Sequence, residues 1–102
     1  MKRLAIFLAA AAVLPASLPV QAQEELAKKH ACFACHAVDK KLVGPSYKEV
    51  AAKYKSRKDA EAYLSKKIKE GSTGVWGPVP MPPNALSDDD AKTLAKYILT
   101  IK

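Results

Sequence analysis

The chain has few of the features that large enzymes and disulfide scaffolds need. Its 102 residues carry two cysteines, four glycines, one tryptophan and 10 acidic residues against 17 basic ones. A length near 100 residues allows one domain, or a domain with a tail. Two cysteines allow a single bridge at most, which excludes a disulfide-dense miniprotein. No segment alternates apolar and polar residues over a strand length, so a sheet is not expected. Long disorder is excluded by a hydrophobic fraction of 49%. There are no internal repeats and no low-complexity linker.

The longest apolar run is also too short to span a bilayer. Leu4 to Leu14 is uninterrupted for 11 residues and is then broken by Pro15 and Pro19, whereas a membrane helix needs about 20. Lys2 and Arg3 precede the run, and Val20-Gln21-Ala22 ends it with small residues at the recognition positions of a signal peptidase. The pattern is that of a secretory signal, with cleavage expected after Ala22. Residues 1–22 are therefore assigned to the leader and residues 23–102 to the mature domain. Losing Lys2 and Arg3 lowers the formal charge from +7 to +5. A secreted chain of this kind has no route to nucleic acid and no expected membrane insertion after cleavage. A domain this small buries little of its own surface and needs a staple, whether a disulfide, a metal or a cofactor.

Apolar spacing predicts four helices in the mature chain. The first runs from about Glu24 to Cys35, burying Leu26, Ala27 and Ala31. The second lies near Tyr47 to Tyr54, with Tyr47, Val50, Ala51 and Tyr54 at the i, i+3, i+4, i+7 spacing. The third follows Asp59 as N-cap, aligns Ala60, Tyr63, Leu64 and Ile68, and stops at Gly71. The fourth is capped by Ser87, carries Asp88, Asp89 and Asp90 in its first turn, and turns Ala91, Leu94, Ala95, Ile98 and Leu99 inward. Two long turn-rich stretches, Asp39 to Ser46 and Gly71 to Pro83, separate them. Loops of that length in a small domain are functional or held by something.

The chemistry is concentrated in Cys32-Phe33-Ala34-Cys35-His36. A C-x-x-C-H sequence reads as covalent attachment of a c-type haem. Two cysteines one helical turn apart can reach the two vinyl groups on one porphyrin edge, and the adjacent histidine can reach the iron. A thioredoxin-like dithiol is the alternative, but it wants a strand-to-helix junction. A zinc site wants four ligands, and His30 is not at a usual spacing. The remaining iron position points to Met81, the single methionine of residues 23–102, set in Val79-Pro80-Met81-Pro82-Pro83-Asn84. Prolines fix φ and make that arm stiff. His30 is the weaker candidate and reads as a solvated helix residue.

Taken together, the chain resembles the small bacterial class I cytochromes c of the c-551 type. The likeness covers Glu24 to Lys102 and rests on Leu42-Val43-Gly44-Pro45, on Gly-Val-Trp-Gly-Pro-Val-Pro-Met-Pro-Pro-Asn (residues 74–84), and on the Ser-Asp-Asp-Asp start of the last helix. The resemblance implies an all-α fold of about four helices wrapped around one covalent haem c. Cys32 and Cys35 would carry the thioethers, and His36 and Met81 would be the iron ligands. The Pro45 carbonyl would accept the second imidazole N–H of His36, Trp76 would donate to a haem propionate, and Asn84 would hydrogen-bond near the Met81 sulfur. Six-coordinate iron has no open position, so the implied function is electron transfer and not catalysis. The implied setting is the periplasm. There a monomeric carrier would take electrons from a quinol-oxidising complex and pass them to a nitrite reductase or a terminal oxidase.

Overall fold

In the computed structural model, which describes residues 18–102, the C-terminal helix is the hub onto which the others pack. Four α-helices follow one another: α1 (Val20–Lys29), α2 (Tyr47–Tyr54), α3 (Ala60–Glu70) and α4 (Asp88–Leu99). Among the described residues the only β-pairing is an isolated antiparallel bridge between Ser72 and Met81. The greater part of the leader assigned from the sequence, residues 1–17, lies outside the described residues.

α4 forms where the sequence places it. The Ser87 hydroxyl accepts from the Asp90 N–H at 3.1 Å, and the three aspartates occupy the first turn, where the helix dipole favours anions. Ala91, Leu94, Ala95 and Ile98 are buried as expected, and Tyr97 joins them. Small side chains at Ala27, Ala91 and Ala95, all fully buried, allow α1 and α4 to approach closely. Tyr97 adds a hydrogen bond from its hydroxyl to Glu24 Oε1 at 3.3 Å. α2 has the predicted bounds, with Ser46 accepting from the Glu49 N–H at 3.1 Å.

Two local expectations need correction. The first helix does not continue to Cys35. It ends at Lys29, and Ala31 adopts a left-handed conformation with φ 57°, followed by a single 3₁₀ turn over Cys32–Ala34. Ala31 is consequently exposed instead of buried. An alanine there is strained by roughly 1–2 kcal/mol, a cost accepted where it redirects the cysteine segment. At the start of α3, Asp59 holds the N-cap position without a side-chain cap bond. Its carboxylate pairs instead with the Arg57 guanidinium, through Nε and through Nη2 at 3.1 Å, because a bidentate charge-assisted pair outcompetes a single backbone N–H. That guanidinium holds the Asp59 carboxyl below the usual range.

Candidate functional site

The redirected cysteine turn opens onto a cavity of about 660 Å³. All seven residues singled out from the sequence line it: Cys32, Cys35, His36, Pro45, Trp76, Met81 and Asn84. Its apolar wall comes from the helices, with Val50 from α2, Leu64 and Ile68 from α3, and Leu94 and Ile98 from α4. The two cysteines are half-buried and are not joined to each other by a disulfide.

His36 is fixed from three sides. Its Nδ1 lies 2.7 Å from the Pro45 carbonyl oxygen. A carbonyl only accepts, so Nδ1 carries the proton and Nε2 keeps its lone pair for a metal. The ring stacks on Tyr47 at 5.3 Å and 24°. On Gly44, a Cβ would stand 2.5 Å from His36 Cε1 and 2.8 Å from Nδ1. Only glycine leaves room for the imidazole, a role that the Gly44-Pro45 dipeptide hides behind its reading as a turn. The Gly44 N–H also donates to the Cys35 carbonyl at 2.7 Å, tying this loop to the cysteine segment. Gly44→Ala is expected to dislodge the imidazole and destabilise the protein by about 1–3 kcal/mol, the range for overpacking a tight contact. Thermal unfolding of the haem-loaded protein measures it.

Spacing marks Tyr47 only as a helix residue, yet it is the aromatic centre of the site. It touches Phe33 at 5.7 Å and Tyr97 edge-on at 6.1 Å, and is 4% exposed. Burial pushes its hydroxyl well above the ordinary value of 10.0. The folded state thus keeps a phenol that the unfolded chain ionises, so its stabilising contribution is complete below pH 10 and is lost as pH rises beyond it. Tyr47→Phe should flatten the fall in urea stability above pH 10. An unchanged alkaline slope would mean that another group titrates.

Met81 is set by its backbone. Ser72 and Met81 exchange both hydrogen bonds, Ser72 N–H to Met81 O at 3.1 Å and Met81 N–H to Ser72 O at 2.9 Å. Gly71, at φ 77°, makes that approach possible, since a Cβ would meet Met81 O at 2.3 Å. Asn84 anchors the far end. Its backbone N–H donates to Lys69 O at 3.1 Å, and its Nδ2 donates to Ile68 O at 2.9 Å. In the structure this amide thus serves the last turn of α3, where carbonyls lack helical partners. Trp76 lies edge-on to Tyr54 at 6.3 Å, with its ring under Lys53 Nζ at 4.7 Å.

His30 is not the solvated helix residue expected. It caps the C-terminus of α1, and its Nε2 lies 3.2 Å from Asp90 Oδ2. It therefore pins the cysteine turn to the start of α4.

A sequence model of the family described as Cytochrome c matches residues 20–102. The chain belongs to the cytochrome c family. Cytochrome c-551 of Pseudomonas aeruginosa is 61% identical over 79 residues, covering 78% of this chain and 76% of that protein. Cytochrome c-552 of Nitrosomonas europaea is 57% identical over 95 residues, covering 92% of this chain and 91% of the relative. The crystal structure of wild-type Nitrosomonas europaea cytochrome c552 superposes with a TM-score of 0.76 at 59% identity, covering 78% of this chain and 99% of that one. The all-α fold expected from the sequence is thus the small cytochrome c fold. As a cytochrome c, this protein is an electron carrier and not an enzyme, and its cofactor is covalently bound haem c with iron. The residues present fit that group. The C-x-x-C-H cysteines face a large, mostly apolar cavity, and one histidine nitrogen is tied off while the other is free.

Proposed function

We propose that this cytochrome c is a periplasmic one-electron carrier. In this reading Cys32 and Cys35 hold the haem by thioethers, His36 and Met81 ligate the iron, and residues 1–22 are removed on export. The observation that carries it is the convergence of both cysteines, His36 and Met81 on one cavity. The haem supplies a ferrous–ferric couple, and a Met/His donor set places its potential above that of two histidines. The protein's part is to keep the donors still. Pro45 and Gly44 fix the imidazole, the Ser72–Met81 bridge fixes the thioether arm, and the prolines around Met81 limit its travel. Trp76, on the cavity wall, is assigned to a haem propionate, and Asn84 to the surroundings of the Met81 sulfur. No described helix is long and apolar enough to cross a membrane.

The cavity mouth carries exposed apolar residues, among them Leu42, Val43, Val75 and Val79, beside the exposed Lys40 and Lys41. Such a rim suits brief docking of a monomeric carrier to redox partners, a quinol-oxidising complex as donor and a nitrite reductase or terminal oxidase as acceptor. The lysines steer the approach to acidic partners. Replacing Lys40 and Lys41 by Gln should change the potential less than the partner encounter, because both charges are exposed to solvent, where water and salt weaken their field. The association rate should fall and its salt dependence flatten. Stopped-flow reduction over an ionic-strength series tests this. A rate that ignores both salt and the substitutions assigns docking to the apolar rim alone.

A further inference from the structure

The loop from Ser72 to Met81 is closed at its base and almost free at its tip. The Ser72–Met81 bridge and the Asn84 hydrogen bonds hold the base against α3. Toward the tip, Gly74 and Gly77 have φ 77° and 125°, and an added Cβ on either would meet nothing within 4 Å. Val75 and Val79 are exposed.

One side chain of this tip turns back onto the helical body. Trp76 meets the edge of Tyr54, and Lys53 stands over its ring with Nζ 4.7 Å from the centroid and 5.7 Å from that of Tyr54. Both partners come from the last turn of α2. Lys53 belongs to none of the ion pairs among the described residues. Its charge is therefore directed at the two aromatic faces, the geometry in which a ring quadrupole attracts a cation. Tyr54 is itself fixed. It is buried, it packs on Tyr63 at 5.0 Å, and burial followed by the Tyr63 hydrogen bond pushes its hydroxyl up to about 12.

We propose that Lys53 is a positioning residue for the Met81 arm. By clamping Trp76 onto Tyr54 it keeps the 72–81 loop closed over the cavity and restrains Met81 at the loop's base. The inference rests on the reading of Met81 as an iron ligand. Displacing Met81 by an outside ligand requires the loop to lift, and lifting it breaks the Lys53–Trp76 contact. Strength at that contact becomes resistance to ligand exchange.

The test uses the haem-loaded ferric protein and imidazole as the entering ligand. Lys53→Gln should raise the rate of imidazole binding about two- to five-fold, the change that matches the loss of one exposed cation–aromatic contact. The near-ultraviolet dichroism of Trp76, the single tryptophan of the chain, should change with it. Lys53→Arg, which also stacks on an indole, should restore both signals. Lys55→Gln, which removes a charge from the end of the same helix without touching Trp76, should change neither. The proposal is overturned if Lys53→Gln binds imidazole at the wild-type rate, or if Lys55→Gln accelerates it equally, which would reduce the effect to net charge. A wild-type ferric protein lacking the sulfur-to-iron charge-transfer band would defeat the Met81 reading itself. In that case an unchanged Trp76 signal in Lys53→Gln would still overturn the clamp, and a changed one would still support it.

Discussion

Cys32→Ala/Cys35→Ala, produced without haem, is expected to lose most of its helical circular dichroism and to melt without a cooperative transition. The core explains the size of the effect. Val50, Leu64, Ile68, Leu94 and Ile98 belong at once to the helix packing and to the wall of the cavity. Without the haem, the apolar wall of that open cavity of about 660 Å³ faces water, and burial worth about 25 cal/mol per Å² is lost. A chain of this size cannot keep such a void dry, and flooding it wets the side chains that α2, α3 and α4 bury together. A native-like cooperative melt of the haem-free variant would show that the helices stand on their own packing.

Met81→Ala should leave the haem attached and the helices formed while opening one iron position. The variant should lose the weak sulfur-to-iron charge-transfer band of the oxidised state, bind cyanide or imidazole faster, and fall in potential. Axial ligands span a range of about 0.8 V, so removing the thioether should produce one of the largest shifts available to a single substitution here. The fold should survive, because the backbone bridge between Ser72 and Met81 does not involve the side chain. A band and ligand-exchange rate equal to wild type would assign that position to another residue.

Much of this molecule is readable from spacing. α2 and α4 announce themselves because their apolar stripes, serine caps and acidic first turns agree. The Cys32–His36 segment is legible because its chemistry needs those residues in that order. What spacing could not show is where the backbone departs from regular periods. The break at Ala31 is invisible because alanine favours helix and nothing local demands a left-handed residue. Asp59 looks like a cap until Arg57, two residues away, takes its carboxylate. Tyr47 looks like one position of a helical stripe, and its stacking on His36 depends on a loop folding back from Gly44. His30 has no sequence neighbour to explain it, since its partner Asp90 is 60 residues away. Contacts made across the tertiary fold leave no period in the chain.

Everything proposed for this protein depends on His36 and Met81 being the donors of a haem anchored by Cys32 and Cys35. The proton magnetic resonance spectrum of the reduced protein tests it most directly. Met81 is the single methionine of residues 23–102, so a methionine methyl held over the porphyrin gives one unambiguous signal. Ligation by Met81 predicts a three-proton resonance shifted by the ring current far upfield of every other methyl, and absent in Met81→Ala. A reduced protein with covalent haem but no such resonance would contradict it.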